Sequence, residues 1–320
     1  MRRMVLVAVI LGALGGGAFA QYPDKPIRFI VPQAPGSNTD LYARLLGSEM
    51  GKSLGQQLIV ENRPGGAFVI GLDAIAKSPP DGYTIGVGLI GGMALTPHMV
   101  AKLPYDVVKD FEPVGMIARG HLMLTVSNQL PVKSVQELID YAKKNPGKLS
   151  AASSANGSPG HIGLELFKSL TGTQITHVPY RGGAAAINDL IAGRVDIMFE
   201  GLASMAPFVL DNRVRGLGVS GPARSAAFPD TPTIAEAGVP KYEAVTWLGV
   251  VAPAKTPKPV IDRLNRALNE ALKSQAMVDR FKAIGEDAAP GTPADYADVI
   301  RTDFAKWKAV IEGAGIKLSE

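Results

Sequence analysis

The 320-residue chain contains no cysteine, which removes disulfides, thiol nucleophiles, thiolate metal sites and a cysteine-borne lipid together. It has little excess charge of either sign. Lys and Arg number 33 against 29 Asp and Glu, and setting aside Arg2 and Arg3 in the leader leaves 31 against 29, which is no nucleic-acid footprint. Four histidines, His98, His121, His161 and His177, form neither H-E-x-x-H nor any pair close in sequence, so neither a metal nor another cofactor is expected. No Ser-x-x-Lys occurs, and the common serine-hydrolase arrangements lack the context their nucleophile needs. Past the leader no segment is apolar enough to span a membrane, and no fixed-period repeat or low-complexity tract is found.

What is present begins with that leader. MRRMVLVAVILGALGGGAFAQ has a basic start, an apolar run from Met4 to Leu14, and Ala18-Phe19-Ala20 as an A-x-A site before Gln21. Residues 1–20 therefore read as a signal peptide. The alternative, a membrane anchor, is disfavoured by the short run and by Gly15-Gly16-Gly17 at its end. The expected product is an exported protein starting at Gln21.

In the remainder, apolar strand-like runs alternate with helical spacing, which is α/β patterning. Strands are predicted at Ile27-Val31, Gln57-Val60, Tyr83-Leu89, Leu122-Ser127, Leu149-Ala152, Val195-Phe199, Arg215-Ser220 and Leu248-Val251. Two C-terminal helices are predicted from single-faced apolar stripes: Ile261, Leu264, Leu268 and Leu272, then Tyr296, Ile300, Phe304, Trp307 and Ile311.

Two loops share one design. In VPQAPGSNTDLYARLL a strand runs through a small-residue turn into an amphipathic helix, with Ser37 and Asp40 spaced as a capping box. In KLSAASSANGSPGHIG, Ser153–Gly157 is a small polar loop, Ser158 the N-cap and Pro159 the first helical residue. A helix start presents unpaired N–H groups and the positive end of a dipole, so it suits a carboxylate without any lysine or arginine. Strand-to-helix turns of any α/β fold also need caps and glycines, and either loop alone is compatible with that plainer role. Gly86–Gly91 spells G-x-G-x-x-G, but Pro97 interrupts the helix a dinucleotide site needs. Gly47–Ser53 resembles a Walker loop with one residue too few between its glycines.

Taken together, Lys25-Pro26-Ile27 leading into VPQAPGSNTD, VENRPGG, PDGYT, LPYDVVKDFEPV, SSANGSPGH, HVPYRGG, FPDTPTIAEAG and Trp247 before VVAPAKTP resemble, in order and spacing, the extracytoplasmic solute receptors of tripartite tricarboxylate transporters, the Bug family. The resemblance implies a two-lobed α/β periplasmic binding protein of type II-like form. One lobe would comprise 21–123 plus 245–320 and the other 124–244, with the ligand cleft between them. It implies a non-enzymatic, monomeric receptor that captures a di- or tricarboxylate, amino acid or aromatic acid and passes it to membrane permease subunits. The alternatives are a receptor that reports to a sensor kinase and, in a different class, a periplasmic hydrolase.

By the same resemblance, ligand contacts are expected from Gly36, Ser37, Asn38, Thr39 and Asp40 in the first loop and from Ser153, Ser154, Asn156, Gly157, Ser158 and His161 in the second. Others are expected from Gly91, Gly92 and Met93, from the turn Tyr180, Arg181, Gly182 and Gly183, and from Glu200. Asp40 has a competing role as a cap, and Tyr180 one as turn packing. The family's first loop usually carries an aromatic residue and paired glycines; Gln33 and Ser37 stand there in this chain, so a positive φ at 37 would be strained.

Overall fold

The run IRFIV forms strand β1 (Ile27–Val31), with Phe29, Ile30 and Val31 fully buried, because parallel neighbours and a helical layer cover it. β2 (Leu58–Asn62) and β3 (Thr84–Leu89) pair with it in parallel on either side. Helices α1 (Asn38–Leu54) and α2 (Val69–Ala76) make the crossovers. The computed structural model describes residues 22–180, 182–284 and 286–318. The leader and Arg181 lie outside these residues. Among the described residues, no helix is long and apolar enough to cross a membrane.

After β3 the chain makes a π-helical turn, Gly91–Leu95, and a short 3-10 turn, Thr96–His98, before β4 (Phe111–Ser127). It continues through α3 (Val135–Lys144), β5 (Ser150–Ser153), α4 (Pro159–Thr171), β6 (Thr176–Pro179), α5 (Gly183–Ile191), β7 (Ile197–Gly201), α6 (Leu202–Leu210) and β8 (Val214–Val219). The last portion holds β9 (Val245–Pro253), α7 (Lys258–Leu272), α8 (Gln275–Ile284), the two-residue β10 (Asp287–Ala288) and α9 (Pro293–Ala314). The predicted apolar faces of the two C-terminal helices are those of α7 and α9, and Phe304 alone among those nine side chains stays partly exposed.

The strand order is β2-β1-β3-β9-β4-β7-β5-β6, with β8 and β10 also paired to β4. Strand β4 carries the chain from one half of this sheet to the other. Up to His121, which faces Val245, it pairs with β9; from Leu122, which faces Gly201, it pairs with β7 and β8. At this exchange Ser220 ties three segments together. Its hydroxyl accepts from Leu122 N (2.8 Å) and donates to the carbonyl of Ala244 (2.7 Å), just before β9. Its own N–H donates to Leu122 O and its carbonyl accepts from Ala244 N. The side chain is fully buried, so these partners replace water completely.

Three local sequence patterns take structural rather than catalytic or nucleotide-binding roles. Gly47–Ser53 lies inside α1, where no phosphate loop is formed. Gly51-Lys52-Ser53-Leu54-Gly55 in the same helix has the G-x-S-x-G spacing, but a nucleophile elbow turns from strand to helix, and Ser53 sits in a last helical turn. Gly88 of the G-x-G-x-x-G run faces the Tyr296 hydroxyl and Met93, so its missing side chain makes room for protein packing.

Candidate functional site

The two loops predicted from the sequence are near copies in three dimensions. Gly36 and Gly157 take φ of +81° and +71°, the left-handed region that favours glycine. The next residues, Ser37 and Ser158, are extended N-caps with φ/ψ of −65°/158° and −68°/158°. Ser37 N donates to Ala34 O and Ser158 N to Ala155 O, both at 3.2 Å. Each serine hydroxyl accepts from the amide three residues on, Asp40 N at 3.2 Å and His161 N at 3.3 Å. Each glycine N–H donates to a side chain four residues on: Gly36 to Asp40 Oδ2 (2.9 Å) and Gly157 to His161 Nδ1 (3.0 Å). The left-handed residue of the first loop is thus Gly36, and Ser37 carries no backbone strain. The capping-box expectation holds for the serine side only, since the Asp40 carboxylate meets the amide of Gly36 rather than that of Ser37.

These arrangements leave the first amides of α1 and α4 without intrahelical partners; at position 159 proline has no N–H to lose. Behind each loop lies the group that sets its shape. Asp40 is 2% exposed and is shared among Gly36 N, Asn62 Nδ2 (2.9 Å) and Arg44 Nε (3.0 Å). Burial opposes its ionisation, but Arg44, Gly36 and Asn62 outweigh that and hold the carboxyl below its ordinary value. Behind the second loop the His161 and His177 rings stack at 3.6 Å with 6° between their planes. Two histidines far apart in sequence are therefore a pair in space. His177 Nε2 meets Ser153 Oγ at 2.6 Å, and that hydroxyl reaches the carbonyl of Ala155. Burial and the neighbouring His161 lower the His177 pKa to about 4, so the ring is neutral at pH 7.

Both loops border one cavity of about 470 Å³, the first through Gln33 and Thr39 and the second through Ser154–Pro159. Most of the remaining wall is apolar, with Phe68, Leu89, Ile90, Met99, Trp247 and Leu318, and Thr96 and Thr246 also line it. Ala67 and Phe68 hold φ of 50° and 78° and lay the Phe68 ring over Gly91. Trp247 donates its Nε1–H to Asp303 (2.6 Å), which leaves ring carbons toward the cavity. On one side the halves already touch. Asn156 Nδ2 donates to Lys317 O (3.1 Å), and the Cα of Gly157 sits against Met99 and Leu318, which are joined within the other half by Leu318 N donating to Met99 O (3.0 Å).

A neighbouring cavity shares Ser154 and is lined by Gly183, Asn188, Glu200 and Phe208. Burial drives the Glu200 carboxyl above its ordinary pKa, offset only in part by Gly201 N–H and the Ser154 hydroxyl. Its Oε2 is buried without a partner.

Of the expected contact residues, Thr39, Gly91, Ser154, Asn156, Gly157 and Ser158 line the main cavity, and Gly183 and Glu200 the second. Several others face elsewhere. Met93 is fully buried in the core beside Gly88 and lines neither cavity. Gly92 lies beneath Phe68 and Leu72. Asp40, Ser153 and His161 have their polar atoms committed to the loops they hold. Tyr180 donates to Asp189 (2.7 Å), and Gly182 N closes the turn onto Ser154 O. Gly36 and Ser37 shape the first loop without lining either cavity; Asn38 begins α1. Sequence reasoning missed Phe68, Met99 and Leu318. The Gly65-Gly66 pair before Phe68 was the one local signal pointing there.

Two α/β halves joined through β4 and β9, with one cavity bordered by matched helix starts, define the two-lobed fold of periplasmic solute-binding proteins. The chain matches the family described as tripartite tricarboxylate transporter family receptor over residues 42–316. It is 37% identical over 97% of its length to a protein from the tcbD-tcbE intergenic region of Pseudomonas sp. (strain P51), covering 94% of that protein. It is 36% identical to protein BugT of Bordetella pertussis (strain Tohama I), covering 99% of this chain and 98% of that one. Among solved structures it is similar to Rpa4515 of R. palustris with adipate, at 37% identity and TM-score 0.79, covering 92% of this chain and 99% of that one. MatC from Rhodopseudomonas palustris with bound malate matches at 29% identity and TM-score 0.75, covering 91% and 100%. The chain belongs to the tripartite tricarboxylate transporter receptor family, a family of solute-binding receptors.

Proposed function

We propose that this receptor works in the periplasm after loss of residues 1–20, as a monomer. It would hold a small organic carboxylate between the Gly36–Asp40 and Ser153–Ser158 loops and deliver it to the permease subunits of a tripartite transporter. The observation that carries this reading is the pair of superposable serine-capped helix starts bordering one cavity. A carboxylate placed there would accept from backbone N–H and hydroxyl donors while both helix dipoles favour its charge. The solved relatives with adipate and with malate support a carboxylate ligand.

The two lobes are assigned to 21–123 with 245–320 and to 124–244. The assignment rests on the change of partners along β4 and on the Ser220 tie beside it. A ligand touching both lobes stabilises the closed form over the open one, and so marks the loaded receptor for its membrane partner.

A thermal-shift screen of the mature protein, refolded to strip any carried ligand, tests the proposal. Carboxylates at a hundred times their dissociation constant should add about 2.7 kcal/mol of stability. Failure of aliphatic, aromatic, hydroxy and amino acids alike to raise the melting temperature would refute it.

A further inference from the structure

Resting on the carboxylate-receptor reading, we infer that the ligand carries its carboxylate on an apolar body of four or more carbons, a chain or a ring, rather than on a hydroxylated, amino-bearing or tricarboxylate skeleton. The composition of the cavity wall carries this. Its polar side chains are Gln33, Thr39, Thr96, Ser154, Asn156, Ser158 and Thr246, most of them on the two loops. Much of the rest is large and apolar: Phe68, Leu89, Ile90, Met99, Trp247 and Leu318. Among the described residues, none that lines this cavity is charged.

The polar groups near that apolar wall are largely committed. The Trp247 N–H is held by Asp303, and the Thr96 hydroxyl donates to Ala67 O (3.1 Å). Hydroxyls or a second and third carboxylate on the ligand body would lose water there and find few partners, which strongly disfavours them. A ligand ammonium would need a carboxylate, and Glu200 lines the adjoining cavity with Ile187 and Phe208 instead. Gln33 and Thr246 also line the cavity and admit a few further hydrogen bonds without changing the class.

Leu318 becomes a specificity-determining residue on this reading. It follows α9, is positioned by its N–H to Met99 O, and completes the apolar wall from the far end of the chain.

Calorimetric titration of the refolded mature protein tests the inference with acetate, butyrate, hexanoate and benzoate, with malate, citrate and glutamate, and with hexanamide. Affinity should rise about fourfold per added methylene along the aliphatic series, the fold-change equal to ~0.8 kcal/mol per buried CH₂. Hexanoate or benzoate should exceed malate, citrate and glutamate by at least about tenfold. Leu318→Asn lies outside the helices and strands and should flatten the aliphatic series, with hexanoate losing more affinity than acetate. A flat series in the unmodified protein, or tighter binding of malate, citrate or glutamate, overturns the inference while the receptor reading stands. Hexanamide binding as tightly as hexanoate overturns the carboxylate reading itself, and absence of binding by every acid overturns both.

Discussion

Gly36 and Gly157 occupy the same place in matched loops, yet a methyl group added to each meets different surroundings. Both hold left-handed backbone, at φ +81° and +71°, which costs an L-residue about 1–2 kcal/mol. The lower entropy of the unfolded alanine chain returns about 0.4–1 kcal/mol. At Gly36 nothing lies within 4 Å of the added Cβ, so Gly36→Ala should lose about 1 kcal/mol from the backbone alone. At Gly157 the Cβ would sit 2.8 Å from Met99 Sδ and 3.1 Å from Leu318 Cδ2, across the cleft. Met99 is flexible and can swing away, at an off-rotamer cost of about 0.5–1.5 kcal/mol. Gly157→Ala should therefore lose roughly 1.5–2.5 kcal/mol and weaken carboxylate binding. Urea unfolding of both variants, with a cycle pairing Gly157→Ala with Met99→Ala, measures the difference. A favourable coupling of about 0.5–1.5 kcal/mol is expected in the double variant, because the methyl enters the space Met99 vacates. Equal losses at the two glycines with no coupling would refute a cleft held shut by this contact.

Ser220→Ala leaves Leu122 N–H buried without its acceptor and should cost about 1–3 kcal/mol in denaturant unfolding; a loss under about 0.5 kcal/mol would show that the tie is dispensable. His177 titrates near 4 when folded and 6.5 when unfolded, so the unfolded chain binds the extra proton and stability falls as pH drops from 6.5 toward 4. The full difference corresponds to about 3 kcal/mol, and screening of this half-buried ring reduces it to about 1–2 kcal/mol. Unfolding from pH 7 to 4.5 should show that loss in the unmodified protein and not in His177→Asn, and parallel profiles would contradict it. Asp40→Ala strands the Gly36 N–H and leaves Asn62 Nδ2 only its bond to Gln33 O and half-exposed Arg44 only its bond to Asn62 Oδ1, for an expected loss of about 1–3 kcal/mol by urea unfolding; a change below about 1 kcal/mol would remove Asp40 as the support of its loop.

The parts legible in the sequence were those fixed locally. β1, β5 and β8 follow from short apolar runs, α7 and α9 from one-sided stripes, and the second loop's cap from Ser158-Pro159, because each signal and the structure it makes lie within a few residues. Where periodicity fails, tertiary pairing decides. The first half of β4 carries Pro113, Gly115 and Gly120 and shifts register against β9 twice, so it does not alternate cleanly. β6 is four half-exposed residues ending in Pro179 at a sheet edge. In the site, the helix starts were visible and the apolar wall was not. Phe68, Met99, Trp247 and Leu318 share no motif and meet only after folding. Met93 lies in the core while Gly91 lines the cavity, because nearness in sequence says nothing about which side of a π-helical turn faces the core.

The position of β9 also sets an order of assembly. β3 and β4 are consecutive in the chain but lie on either side of a strand contributed by residues 245–253. Until that segment arrives, β3 has an open edge and the first portion of β4 has no partner of its own half, a geometry that invites pairing with other chains. The segments β5 to β8 and α3 to α6 come from one uninterrupted stretch and face no such wait. Because the chain is made N-terminus first, its earliest residues are thus among the last to be sheltered. A holdase that covers the β1–β3 region until β9 docks would act where the protein is most prone to aggregate.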